Sequence, residues 1–272
     1  MFLATAFAVA GFFTSTAEAG PQWRIAWTQS VQIPGATDVA VCNDGIVYAT
    51  VPAGAKTNLV RTTASLATTS SVSIVTDEAA NGVVHISCGT NASGMRRLVA
   101  LDSRRHILVQ QQTSSSAVTF RNLPWVDVAT APAADDVKGL GRSEVLAHNT
   151  DRRDYRGVPT GGGTLAFSYL GDMWGASEVA AGGGGSSEFA VAINDDDTFW
   201  VNLPLGNLNM NVGWLQASSG YNYHAVNAID IEVTRVGTSG QIGVVALMPS
   251  GEVWYGVICN DNAYLECPIE RA

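Results

Sequence analysis

Acids recur at one register of a short motif in this chain. Asp38-Val39-Ala40, Asp127-Val128-Ala129, Glu178-Val179-Ala180 and Asp230-Ile231-Glu232 each place a carboxylate before a β-branched residue, and His85-Ile86-Ser87 fills a fifth place. Carboxyl groups gathered at one point could cleave a glycosidic bond, which needs one as general acid and another as base or nucleophile. A residue type repeated at one register is equally what a repeated fold demands, for instance a carboxylate that bonds backbone amides. A catalytic set breaks such uniformity, because acid and base need unlike environments. The expectation is therefore a structural role and no enzyme, with Asp38, Asp127, Glu178 and Asp230 as the catalytic candidates if the chain does hydrolyse glycosides.

A second group of residues suits recognition. Tyr48, Tyr155, Trp200, Trp254 and Tyr255 offer aromatic faces to sugar C–H groups, and Asn202, with Asn194 and Asn222, offers amides to hydroxyls. Large aromatics on repeated strands also fill the space between sheets, so packing is the competing role for each. Other chemistry lacks its signature. Residues 182–185 are four glycines without the Gly-Lys-Ser/Thr of a phosphate loop, residues 194–197 do not match a calcium-binding EF-hand, and no Gly-x-Ser-x-Gly elbow occurs. No cofactor and no metal ion is expected.

Cys42, Cys88, Cys259 and Cys267 form no CxxC pair and no zinc-type cluster with histidine. In an exported chain they read as two disulfides, for which sequence allows three pairings. Cys259 and Cys267 enclose a short polar loop, which leaves Cys42 and Cys88 to pair. Export is suggested by residues 1–19, an apolar run that ends in Ala17-Glu18-Ala19, a small-x-small cleavage pattern, although it has no basic residue near its start. The run is shorter than a spanning helix requires. The mature chain would be one domain, residues 20–272, secreted and without a membrane span. Asn91-Ala92-Ser93 is a glycosylation sequon. The net charge of −9 and the scattered Arg pairs at 96–97, 104–105 and 152–153 exclude a nucleic-acid partner.

The elements that must position these residues form a repeat. Short strands following a turn start at Asn58, His106, Asp154, Thr198 and Glu252, with intervals of 48, 48, 44 and 54 residues. Each is preceded by a β-rich segment, at residues 46–51, 97–101, 144–148, 188–193 and 241–247, and the intervening residues are turn formers such as Ala53-Gly54 and Pro249-Ser250-Gly251. Upstream lie the segments that carry the four acids and His85, 38–41, 85–88, 127–130, 178–181 and 230–233, whose small residues suit strands that converge on a narrow channel. Fourth strands are expected at 71–75, 117–120, 165–169 and 212–216. The last unit has none after it, and residues 23–27 supply it from the N-terminus. The fold expected is all-β: a five-bladed β-propeller of four-stranded antiparallel blades, closed by the N-terminal strand.

The first unit carries more than a period. Trp27-Thr28-Gln29-Ser30-Val31, Gly35 through Val41, and Asn43-Asp44-Gly45-Ile46-Val47-Tyr48 resemble a tectonin-type propeller repeat, with Trp125, Trp174, Trp214 and Pro249-Ser250-Gly251-Glu252-Val253-Trp254 as fragments elsewhere. Five blades with a closing N-terminal strand are similar to the tachylectin-2 arrangement. The resemblance implies an extracellular glycan or another surface ligand as partner, without carrying over any sugar-contacting residue.

Overall fold

In the computed structural model the described residues are 23–54, 56–62, 74–91, 93–111, 126–130, 134–172, 176–183, 188–194, 198–202, 214–217, 227–236 and 241–260. The leader expected at residues 1–19 lies outside them, as do Cys267, Asn222 and the strand expected at 117–120.

Twenty strands are arranged in five sheets of four among the described residues. Strand β1 (Trp23–Gln32) is set aside by the chain until the end. Blade one is β2 (Asp38–Val41), β3 (Val47–Ala53), β4 (Lys56–Thr62) and β5 (Ile74–Asn81). Blade two is β6 (Val83–Thr90), β7 (Arg96–Asp102), β8 (His106–Gln111) and β9 (Val126–Thr130). Blade three is β10 (Ala134–Gly139), β11 (Val145–Asn149), β12 (Arg153–Pro159) and β13 (Leu165–Asp172). Blade four is β14 (Ala176–Gly182), β15 (Phe189–Asn194), β16 (Phe199–Asn202) and β17 (Trp214–Ala217). Blade five is β18 (Asp230–Val236), β19 (Gln241–Leu247) and β20 (Glu252–Asn260), with β1 as its outer strand. Each sheet is an antiparallel meander, and the order β1-β20-β19-β18 closes the ring of a five-bladed propeller as expected.

Stacking explains the residues. A blade packs on both faces, so its second strand loses the alternation of a one-sided sheet and becomes a continuous buried run. Strand β7 is buried at every position and β15 at its first five. Each of the five interfaces between neighbouring blades has its own apolar cluster. Blades one and two meet through Tyr48, Leu59, Ile86 and Leu98; blades four and five through Phe189, Phe199, Val244 and Trp27, whose ring meets Phe199 edge-on at 5.9 Å.

One strand departs from expectation. Residues 126–130 form β9, the outer strand of blade two, and the inner strand of blade three is β10. Asp127 is therefore remote from the channel: its side chain is 52% exposed and bonds the His106 imidazole on the adjacent strand. Its motif imitates an inner strand because Asp-Val-Ala has the small third residue such a strand favours. The true strand reads Asp136-Val137-Lys138, with a lysine where a small residue was sought.

Candidate functional site

The five inner strands, β2, β6, β10, β14 and β18, run side by side around the axis, and chemistry gathers at both of their ends. At the N-terminal end Asp38, His85, Asp136, Glu178 and Asp230 form a ring, one residue per blade. In three of the five strands the ladder shifts register immediately before the ring residue, between Val83 and His85, Ala134 and Asp136, and Ala176 and Glu178. Bulges re-aim side chains in this way. The structure thus brings together Asp38, Glu178 and Asp230 of the expected acids, adds Asp136, and leaves out Asp127.

Two ring acids have structural work that is easily named. Asp230 Oδ2 accepts a 2.8 Å hydrogen bond from the Val39 amide of the next blade, and Asp38 Oδ2 accepts one from the Ile86 amide of the blade after that. Each ring acid here staples its blade to its neighbour by the amide that follows the neighbour's own ring residue. Behind the ring sits Lys138, wholly buried, with its ammonium 2.6 Å from Asp136 Oδ2, 3.1 Å from Asp230 Oδ1 and 3.2 Å from Glu232 Oε1, and donating to the Ile231 carbonyl. Lys138 and Glu232 both occupy the position two residues after a ring residue, the same side of the strand.

Burial and mutual charge set the protonation. Burial would strip the Lys138 proton, but Asp136, Asp230 and Glu232 overcome it and hold the ammonium well above its ordinary range. Burial, then the charge of Asp230 and a side-chain hydrogen bond with it, pushes the Asp38 carboxyl well above its ordinary range. Burial also acts to raise Asp230, but Lys138 and the bonds from Asp38 and Val39 outweigh it and hold Asp230 below its usual value. Burial pushes Glu232 well up against the opposing pull of Lys138. Glu178, partly exposed at the mouth, is raised by burial and by the charges of Asp230 and Asp136 to about 8. One oxygen from each of Asp136, Glu178 and Asp230 lies within 4.8 Å of the others, a set that could hold a cation. The Lys138 ammonium already fills that role for Asp136 and Asp230.

The C-terminal end is different in kind. A cavity of about 300 Å³ opens where all five inner strands end, and fourteen described residues line it. Six are glycine, Asn43, Thr90, Asn91 and Thr234 add neutral polar groups, and two are arginine, Arg142 and Arg235. None of the described lining residues is acidic. The glycines let main chains approach where side chains would collide: a Cβ on Gly139 would lie 2.5 Å from the Gly89 nitrogen, and one on Gly89 would meet the Leu140 carbonyl. Arg142 rises from a short turn, Gly141–Ser143, in which Arg142 and Ser143 both have positive φ, 58° and 67°. Such consecutive left-handed non-glycine residues cost energy and need support. Support comes from Arg97 Nη1, which donates to the Ser143 carbonyl at 2.8 Å, and from the Gly141 amide, which donates to Gly183 of blade four at 2.5 Å.

No protein-family profile matches the chain, and no curated protein matches it. Among solved structures it is similar to a Bacteroides ovatus protein described as xyloglucan PUL GH43B, at 10% identity and a TM-score of 0.48, over 85% of this chain and 54% of that one. It is also similar to human WBSCR16, at 12% identity and a TM-score of 0.40 over 88% and 68% of the two chains. A third similarity is to the SapL1 lectin in complex with alpha methyl fucoside, at 14% identity and a TM-score of 0.45 over 76% and 71%. The chain spans about half the length of the first of these.

The residues singled out as sugar contacts lie elsewhere. Tyr48 is 0% exposed, packed between blades one and two, and Asn202 is 1% exposed, so neither presents a group to a ligand. Trp200, partly buried, packs between blades three and four, with its indole N–H donated to Thr198 Oγ1 at 2.9 Å. Trp254 and Tyr255 pack against the clusters on either side of blade five. Tyr155 packs between blades two and three and meets Tyr169 edge-on at 5.8 Å. Cys42 and Cys88 are bonded, with Cα atoms 5.1 Å apart, and tie the first two inner strands together. Cys259 is also disulfide-bonded. The Asn91 side chain is turned inward: it is 7% exposed, and its carboxamide oxygen accepts from the Ser93 and Met95 amides, both at 2.9 Å, so it shapes the cavity loop instead of projecting as a glycan acceptor.

Three residues escaped the sequence reading. Asp136 was signalled by spacing: from Asp127 to the next β-rich segment at residue 144 is 17 residues, from Asp136 only 8, the interval found between Asp38 and residue 46. Lys138 had no signal, because a buried lysine is defined by partners on other blades. Arg142 had none either, since its place depends on a turn conformation unusual for its residue type.

Proposed function

We propose that the protein is a secreted, lectin-like binding module that takes a small hydroxyl-rich unit of an extracellular glycan in the axial cavity. The observation that carries this reading is the cavity itself. Its volume of about 300 Å³ is at the lower end of ordinary ligand sites, the scale of a single sugar ring. Its wall of main chain, threonine and asparagine sets hydrogen-bonding groups among apolar surface. The tectonin-like pattern of the first unit and the disulfide across blades one and two are consistent with recognition in an oxidising compartment. Binding by the purified chain to an array of glycans tests the proposal, with titration calorimetry on the hits. The expected result is saturable binding that Thr234→Val weakens. An array without binding overturns it.

Glu178 favours a second reading, glycoside hydrolysis at the opposite mouth. A carboxyl group that keeps its proton at neutral pH, beside the carboxylates of Asp136 and Asp230, has the character of a general acid. Against this stands the engagement of Asp230 with Val39 and Lys138. Release of nitrophenol from aryl glycosides, lost in Glu178→Gln, would establish hydrolysis; no release from any of them removes it.

A further inference from the structure

The axial cavity has a sign. The chain holds 24 acidic residues against 15 basic, yet among the described residues that line the cavity there are two arginines and no acid. The acids of the channel are collected at the other end of the inner strands, where Lys138 pairs with Asp136, Asp230 and Glu232. Resting on the glycan-binding reading above, we propose that the cavity selects sugars that bear an anionic substituent, a carboxylate or a sulfate, and that Arg142 and Arg235 receive it.

The two guanidiniums reach the cavity from different blades and are placed by different means. Arg235 lies one residue before the end of the inner strand of blade five, with its guanidinium carbon over the Phe189 ring, 5.3 Å from the centroid, a cation–π contact. Arg142 is exposed on the rim, on the turn that Arg97 and Gly183 hold in its strained form. Two guanidiniums brought to one cavity from different blades suit an anion carried on a ring between them, because a guanidinium pairs with carboxylate or sulfate through two parallel hydrogen bonds. The neutral groups, Thr90, Asn91 and Thr234, are left for the hydroxyls.

The test uses the whole secreted chain and four probes: glucuronate, N-acetylneuraminate, galactose 6-sulfate and uncharged galactose, each titrated by calorimetry at low and high salt. Binding of a charged probe at least tenfold tighter than galactose, weakened by salt and reduced about 10- to 100-fold in Arg142→Ala, supports the assignment. Arg142 is exposed, so its removal leaves folding intact, and Arg142→Gln checks that charge and not bulk is read. Carboxylate and sulfate arms distinguish the two sources. Equal binding of neutral and charged sugars, insensitive to Arg142→Ala, overturns this inference and leaves the glycan-binding reading standing. No binding of any sugar here or on the array overturns both.

Discussion

The Asp230 carboxylate in the last blade accepts the amide of Val39 in the first, across 191 residues of sequence. One short side chain therefore joins, at the axis, two blades that the chain links at their rim by running from β1 of blade five straight into β2 of blade one. Its other oxygen faces Lys138 of blade three, so a single carboxylate joins three blades at the axis.

Removing that carboxylate should be costly, and more so than converting its neighbour Asp38, whose carboxyl burial pushes well up, to the amide. Asp230→Ala leaves the Val39 amide and much of the Lys138 charge uncompensated in a dry site, a loss of about 3–5 kcal/mol. Asp38→Asn keeps a donor for Asp230 and an acceptor for Ile86, and should cost about 1 kcal/mol or less. Urea titrations of both variants check the order. A reversed order would mean that Asp38 holds the charge and Asp230 the proton.

Glu178 gives stability a pH dependence of definite sign. Its folded value of about 8 exceeds the ordinary 4.5, so between those limits the folded chain binds more proton than the unfolded chain. Stability then falls as pH rises through that window, by several kcal/mol in all. Glu178→Gln cannot titrate, and its advantage over the parent should grow from pH 5 to pH 8 in thermal melts. Parallel profiles would show that Glu178 is ionised throughout.

Reduction of the Cys42–Cys88 bond releases a closed loop spanning 46 residues, which a chain-entropy estimate puts at about 4 kcal/mol. Cys42→Ala with Cys88→Ala should lower the melting temperature accordingly while keeping the sheet signal in circular dichroism. An unchanged melting temperature would show that the bond constrains nothing the packing does not already hold.

Gly139→Ala forces a methyl group to within 2.5 Å of the Gly89 nitrogen, where neither backbone can yield without parting blades two and three. A loss of about 2–4 kcal/mol is expected by denaturant titration. By contrast Gly161→Ala, whose Cβ meets nothing within 4 Å, should be close to neutral. Equal effects would contradict the close approach.

The ring of blades was legible in the sequence because each blade repeats a local pattern: hairpin turns at regular intervals, runs of Val and Ile, an acid before a β-branched residue. Closure by β1 followed from counting, since the fifth unit lacked a strand that residues 23–27 could supply. Asp38, Glu178 and Asp230 were legible for the same reason. Asp127 was misplaced because a local motif was allowed to outrank the interval to the next strand. For the aromatics the sequence leaves packing and ligand contact as competing roles, because composition cannot say which face of a two-sided blade a residue takes; in this stack both faces are inside, and they pack. Lys138, the Gly89–Gly139 contact and the Arg142 turn are meetings between blades, and no periodic pattern within one blade encodes them.

Strand β1 gives this ring a clock. Trp23 pairs with Asn260, and the intervening register runs to Gln32 opposite Glu252, so the first of the described strands finds its place on the last. While the chain emerges from the ribosome, residues 23–32 have no strand to pair with until β20 follows, and β20 keeps an open edge until they return. Folding of the last blade is therefore a joining of two distant ends, a slow step for reasons of loop-closure entropy. A chaperone or a second nascent chain that captures either edge in that interval would decide between a closed ring and a strand-exchanged assembly.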